Sequence, residues 1–383
     1  MPSSELARAA RPEATAATPD PASDVLALLT IDLAAIVANW RSMRAVCGVE
    51  TAAVVKADGY GVGAVPVAHA LAAAGCTRFF VATPDEGIAL RAALAEPEIA
   101  ILDGLPAGAE SLYREHRLTP VLNRPDEVRS WLAFAERRGE PLPAMLHVDT
   151  GMHRLGLAPK EFVALAEEPE FRAYRWGCLM SHLACSDEPA HDLNARQAGA
   201  FAALRQHLPQ VPGSLAASSG IFLGPDYQHD LTRPGAGLFG VNPQPGRANP
   251  LAGTVHLQAR ILAVRDVDPD RTVGYGAAHT VTLPSKIATI AVGYADGYPR
   301  AAGSRGTMRL GGFAVPVVGR ISMDLVTLDV SAVPPDIARV GAWVEVIGPG
   351  RSIDEVAADC GTIAYEILTS LGARYRRRYI GAL

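Results

Sequence analysis

The chain has 383 residues, room for two or three folding units, and is 49% hydrophobic and 20% charged, close to the globular average. That balance excludes a wholly disordered or fibrous chain, and the length excludes a disulfide-stapled miniprotein. Lys plus Arg (35) against Asp plus Glu (40) leaves a net charge of −5, no electrostatic footing for nucleic acid or an anionic membrane.

Five cysteines (Cys47, Cys76, Cys178, Cys185 and Cys360) contain no C-x-x-C pair. The odd number argues against a secreted disulfide framework, so a cytoplasmic location is expected. No stretch approaches the roughly 18 apolar residues of a membrane span, and the N-terminus lacks the pattern of a signal peptide. Residues 1–24, rich in Ala, Pro, Ser and Thr, read as a disordered tail.

From Leu26 to about Gly240, short apolar runs ending in Gly, Asp or Ser alternate with Ala-rich amphipathic stretches. Repeated βα units are expected, and hence a parallel sheet or barrel. Candidate strands are 51–55, 78–82, 99–102, 119–122, 144–148, 175–180, 213–217 and 231–233. Candidate helices are 33–46, 65–74, 85–95, 125–137, 159–167 and 192–207. Eight strands fit a (β/α)8 barrel over residues 25–245, although an open doubly wound sheet has much the same period.

Beyond about Pro245 the texture changes to strand-like runs separated by Gly, Pro and Asp turns: 255–264, 278–283, 287–292, 307–310, 313–318, 325–329 and 343–347. A second, mostly antiparallel β domain over 246–383 is expected, with one helix near its end, 362–371, capped by Thr362 and stopped by Gly372.

The sharpest local feature is Ala53–Gly63, an apolar strand that delivers Lys56 into a glycine turn. In a parallel barrel that end is the active face. A lysine leaving an apolar strand can have its pKa lowered by desolvation, which suits a Schiff base with an aldehyde cofactor; the commoner fate is a snorkelling surface lysine. Polar residues also mark other strand ends: His147 and Asp149, His182, Ser218 and Ser219, and Arg233 in Arg-Pro-Gly-Ala-Gly. Each alone could be a satisfied core group, but five strand ends aimed at one rim point to a site, with the two late turns suited to phosphate. No H-E-x-x-H or other ligand spacing suggests a metal, and no G-x-S-x-G suggests a hydrolase. In the β domain, Gly274-Tyr275-Gly276, Gly293 to Tyr298 and Gly319 to Asp324 stand out; each alone reads as a hairpin corner.

In order, Val-Val-Lys-Ala-x-x-Tyr-Gly, Asp-Thr-Gly-Met-x-Arg-Leu-Gly, Arg-Pro-Gly, Gly-Tyr-Ala-Asp-Gly and Ser-Met-Asp make the chain from Leu28 to Leu383 resemble the alanine racemase family of fold-type III pyridoxal phosphate enzymes. The resemblance implies a (β/α)8 barrel holding pyridoxal 5'-phosphate on Lys56. It also implies a β domain that caps the other subunit's site in a head-to-tail homodimer. Lys56 and Tyr275 would be two bases on opposite faces of the alanine Cα, Lys56 serving the D-enantiomer and Tyr275 of the partner chain the L-enantiomer. His182 would contact that tyrosine and link it to Arg233, which faces the pyridine nitrogen. A guanidinium keeps its proton, so the ring nitrogen stays unprotonated and transamination is suppressed. Tyr60, Ser219, Gly235, Ala236 and Tyr365 would contact the phosphate. Arg154 and the Met323 backbone would hold the substrate carboxylate, and Tyr294 would narrow the entrance. The product D-alanine would serve peptidoglycan.

One position departs from the family. Where many members have a carbamylated lysine, this chain has His147, so Arg154 loses its anionic partner. A small anion such as chloride, or a rearranged carboxylate, is expected in its place. Two other readings stand beside this one: a broad-specificity amino-acid racemase on the same scaffold, and a barrel-type pyridoxal phosphate homeostasis protein without turnover.

Overall fold

The computed structural model describes residues 24–381, so the tail reading for 1–24 lies almost wholly outside the described residues. Eight short parallel strands close into a barrel: 50–54 in two pieces, Arg78–Val81, Glu98–Ile101, Leu118–Leu122, Met145–His147, Leu179–Met180, Gly213–Ser214 and Leu231–Thr232. Registers run Ala53↔Phe79, Phe79↔Ile99 and onward, and Thr232↔Thr51 joins the last strand to the first. Every residue of the strand Leu118–Leu122 is buried, because barrel strands are covered on both faces and read as apolar runs rather than alternations. Phe79 and Phe80 are fully buried on opposite sides of one strand for the same reason.

Helix ends follow local chemistry. Asp32 caps Leu33–Cys47 by accepting from Ala35 N–H at 2.9 Å, and Gly48, at φ 67°, stops it in the left-handed region. Buried Trp40 from this helix donates its indole N–H to the Thr51 carbonyl at 3.0 Å, tying helix to barrel.

The β domain is a mixed, mostly antiparallel sheet around the long strand Val255–Val267. That strand pairs antiparallel with Trp343–Ile347, Ser285–Ile290 and Ala27–Asp32. The chain therefore passes through this sheet before it enters the barrel, and its last strand, Arg376–Ile380, returns to lie parallel to the first. Neither edge of the sequence announces this, because the pairing partners lie more than two hundred residues apart.

Three local expectations need correction. The run 278–283 forms only the strand His279–Thr280, paired with Thr272–Val273, and Tyr275 sits in the turn between them. The late helix is Ala364–Thr369, and Thr362 does not cap it; its hydroxyl bonds the Glu366 carboxylate one turn on. A second helix, Ile353–Cys360, precedes it, opened by a Ser352/Glu355 capping box.

Candidate active site

The C-terminal ends of the barrel strands open into a cavity of about 900 Å³. Lys56 enters it directly from the first strand, on a turn in which Ala57, Asp58, Gly59 and Tyr60 all have φ between 51° and 62°. A left-handed stretch costs roughly 1–2 kcal/mol per non-glycine residue, so the turn must be held from outside. Burial lowers the Lys56 pKa, and the Arg154 charge lowers it further against the opposing pull of Asp103 and Glu86. The sequence expectation of a desolvated lysine at the active rim matches this placement.

Arg233, from the eighth strand, is buried and carries no carboxylate partner among the described residues. Its guanidinium donates to Ser214 Oγ and, at 2.6 Å, to the Ser181 carbonyl. Burial draws its pKa down to about 10, so it remains charged at neutral pH. His182 lines the same cavity, but the link expected between the two is electrostatic rather than a hydrogen bond. Burial first, and then the charges of Arg233 and Arg154, hold His182 at about 3. It is a neutral imidazole.

The late turns do different jobs. Ser218 Oγ accepts from Gly235 N–H and Gly237 N–H, both at 3.0 Å, and so pins the Arg-Pro-Gly-Ala-Gly turn against the preceding loop. The Gly235 N–H is thus already committed, which changes how Gly235 serves a phosphate. It supplies room: a Cβ there would collide with the Tyr60 hydroxyl, so the glycine lets that phenol lie against the turn. Tyr60 is packed on Phe239, ring centroids 4.9 Å apart, and faces Tyr365 at 6.2 Å. Ser219, Ala236 and Tyr365 line the cavity beside it.

These residues fit pyridoxal phosphate. The half-buried lysine amine suits its aldehyde, and a glycine turn flanked by two phenols and Ser219 suits its phosphate. The buried guanidinium has only two of five N–H groups engaged, leaving donors for its ring nitrogen.

Arg154 arrives on a loop organised by Asp149, whose carboxylate accepts from the N–H groups of Gly151, Met152 and His153 at 2.9–3.2 Å. His147 lies close by, its Nδ1 2.7 Å from Asn123 Oδ1. Asn123 donates its amide nitrogen to the Val121 and Leu102 carbonyls, so its oxygen faces the ring and His147 Nδ1 must be the donor. Burial, with Arg233 as the next cause, holds His147 at about 4. A neutral histidine cannot replace an anion, and among the described residues no carboxylate pairs with Arg154.

Three expected site residues do not reach this cavity. Tyr275 is 73% exposed, Met323 54% and Tyr294 42%. Tyr294 lines a neighbouring cavity of about 430 Å³ that shares Thr362 and Glu366 with the first. The Met323 carbonyl accepts from Ala295 N–H at 2.9 Å, which joins the Tyr294 and Met323 loops.

Several supporting residues escape a reading by motif. Gln197, fully buried, donates to the His182 carbonyl at 2.9 Å and to Thr150 Oγ1 at 3.3 Å, and accepts from Ala184 N–H at 2.9 Å. Thr150 meets Ser181 Oγ at 2.8 Å, completing a buried polar layer beneath His182 and Arg233. In sequence, the only signal for Gln197 is a polar residue in an Ala-rich helix. Among the described residues no cluster of His, Cys, Asp and Glu could hold a metal ion, and no helix is long and apolar enough to cross a membrane.

A closed parallel barrel with a pKa-lowered lysine at its rim, joined to a β domain whose Tyr275 and Tyr294 lie outside that cavity, defines a two-domain lysine enzyme of the pyridoxal phosphate barrel type. The patterns of the alanine racemase N-terminal and C-terminal domains match residues 31–243 and 254–379. The alanine racemase of Rhodospirillum rubrum is 51% identical, over 93% of this chain and 96% of that one. A catabolic alanine racemase of Mesorhizobium japonicum is 48% identical over 93% of each. Among solved structures, alanine racemase from Bartonella henselae with covalently bound pyridoxal phosphate superposes with a TM-score of 0.89 at 40% identity, covering 93% of this chain and all of that one. The chain belongs to the alanine racemase family. A match across both domains leaves no place for the barrel-only homeostasis reading.

Proposed function

We propose that the chain binds pyridoxal phosphate at Lys56 and interconverts L- and D-alanine with two bases, in a head-to-tail pair of chains. The observation that carries this is the meeting of Lys56, Arg154, His182, Ser219, Arg233 and Tyr365 around one cavity, while Tyr275, Tyr294 and Met323 stand exposed elsewhere on the same chain. Twelve assigned residues belong to one chemistry, nine of them around the cavity, and the other three would need a second chain to reach it.

When bound, pyridoxal phosphate supplies the electron sink that lets the alanine Cα proton leave. Tyr60, Ser219, Ala236 and Tyr365 would hold its phosphate and Arg233 its ring nitrogen, with Gly235 giving Tyr60 its place. The Lys56 amine takes or returns the proton on one face of Cα. Tyr275 of the partner subunit does so on the other. A phenol near pKa 10 is a weak base at neutral pH and needs help to lose its proton. His182, kept neutral by burial and by Arg233, offers a lone pair that an imidazolium would lack. Arg154 and the Met323 backbone of the partner subunit hold the carboxylate, and Tyr294 of the partner subunit narrows the entrance. Packing alone discriminates one extra group by roughly 1–3 kcal/mol, so serine should be a poor second substrate. We assign the D-alanine to peptidoglycan supply.

Co-expression of Lys56→Ala and Tyr275→Phe chains tests the arrangement. In a two-fold dimer with shared sites, a mixed pair has one doubly damaged and one intact site, so random pairing restores roughly a quarter of wild-type activity. Each variant alone should be nearly inactive, with cofactor absorbance retained in Tyr275→Phe. Activity unchanged in Tyr275→Phe, or none in the mixture, would overturn the proposal.

A further inference from the structure

The backbone N–H that follows Lys56 is held by a side chain from another βα unit. Glu86 Oε1 accepts from Ala57 N–H at 2.6 Å, while its other oxygen accepts from Ala82 N–H at 2.7 Å. Ala82 directly follows the barrel strand Arg78–Val81, the neighbour of the strand that delivers Lys56. Glu86 also sits in the first turn of the helix Pro84–Ala93, where its N–H donates to Thr83 Oγ1 at 3.3 Å. One carboxylate therefore ties together a strand end, a helix cap and the left-handed turn at 57–60. The turn's second brace is local: Asp58 Oδ1 accepts from Ala64 N–H at 2.9 Å.

We propose that Glu86 is the positioning residue of Lys56: by bridging Ala57 N–H and Ala82 N–H, its carboxylate fixes the left-handed turn that presents the lysine amine to the cavity. The inference rests on the assignment of Lys56 as the cofactor-bearing lysine. Only a group with two acceptor oxygens serves both donors. A glutamine in its place must set an N–H against one of them, although its size and shape are unchanged. Glu86 Oε2 also accepts from Thr83 N–H at 3.4 Å as its half of the capping box, and Thr83→Ala, which removes the other half, weakens the helix start without touching the bond to Ala57.

The test compares full-length wild type with Glu86→Gln, Glu86→Asp, Thr83→Ala and Lys56→Ala, each freed of cofactor. Two quantities are read: the Kd for pyridoxal phosphate, and the rate at which pyridoxal without phosphate is trapped on the protein by borohydride, with the modified lysine located by peptide mapping. Glu86→Gln should weaken binding roughly tenfold or more and slow trapping at Lys56, in line with losing a charge-assisted hydrogen bond. Glu86→Asp keeps the charge but reaches only one side, so it should show the same loss and serves if the glutamine variant does not fold. Thr83→Ala should lower the Tm and leave both readouts in place. Wild-type binding and trapping in the Glu86 variants, or an equal loss in Thr83→Ala, would overturn the proposal. Trapping that maps to another lysine and persists in Lys56→Ala would instead remove the Lys56 assignment, and the role of Glu86 with it.

Discussion

Gly235→Ala puts the phosphate end of the cavity under a defined load. An alanine methyl there falls 3.0 Å from Tyr60 Cζ and 3.4 Å from Cε2, and nearer still to the hydroxyl oxygen. Carbon contacts settle at about 3.5–4.0 Å, so the ring must retreat by roughly half an ångström or more. It has little room, being buried against Phe239 and facing Tyr365. Gly235 has a φ of −124°, so the perturbation is steric and owes nothing to a left-handed backbone. Overpacking of this kind costs about 1–3 kcal/mol of stability. Moving the phenol away from the phosphate should also cost a charge-assisted hydrogen bond, roughly tenfold or more in cofactor affinity. Thermal unfolding with and without pyridoxal phosphate separates the two effects: the apo Tm falls through strain, and the gain on adding cofactor shrinks because it follows RT ln(1 + [L]/Kd). In the double variant with Tyr60→Phe, loss of the nearest atom should return part of the apo stability but none of the affinity. Wild-type cofactor affinity in Gly235→Ala would refute the placement of Tyr60 at the phosphate.

Acid should destabilise the apo protein through two neutral histidines, His147 buried and His182 half-buried in the cavity wall. Their folded pKa values, about 4 for His147 and about 3 for His182, lie below the ordinary 6.5, so on acidification the unfolded chain binds protons first. Their contribution is whole above pH 6.5 and is lost as pH falls toward the folded values; at pH 5 each costs about 2 kcal/mol. Urea midpoints at pH 7 and pH 5 should therefore diverge, and His147→Gln should narrow the gap; an equal gap in both proteins would count against the burial argument. Arg374 joins the two loops assigned to the partner's site, with Nε 3.0 Å from the buried Asp296 and Nη1 2.8 Å from Asp324. Arg374→Met should raise KM for alanine roughly tenfold and alter the alanine-to-serine ratio, because the Tyr294 and Met323 loops lose the side-chain brace that supplements their Ala295–Met323 backbone bond. A fall in Tm with unchanged selectivity would limit Arg374 to a structural role.

What could be read in the sequence was whatever is encoded over a few neighbouring residues. Lys56 follows a buried strand and meets glycines at once, so its position and its desolvation were both legible. The Ser352-x-x-Glu355 capping box is equally local, but the helix it opens, Ile353–Cys360, is short and lies among strands. Glu86, Asn123 and Gln197 were not legible, because each acquires its role from a backbone or ring that barrel closure brings alongside: Ala57 for Glu86, His147 for Asn123, the His182 carbonyl for Gln197. Ala27–Asp32 falls inside the expected barrel span 25–245 but pairs with Val255–Val267 and Arg376–Ile380, partners that local sequence does not announce.

Tyr275 marks the furthest limit of local reading. Its own surroundings describe a tyrosine at a hairpin corner, and that is where it sits, exposed between His279–Thr280 and Thr272–Val273. Among the described residues no hydrogen-bond partner meets that phenol. The cavity, for its part, gathers Lys56, Arg154 and Arg233 with two histidines held neutral, and the phenols that line it, Tyr60 and Tyr365, are the ones proposed for the phosphate. Cations crowd the cavity because it is built to receive a phosphate and a carboxylate. The phenol proposed for the second face of the substrate carbon is Tyr275, which this chain carries on its outer surface. On the proposed two-base reading, a barrel with one base inside and one outside racemises by lending the outer one, and reciprocal lending between two copies is the simplest closed arrangement that satisfies both.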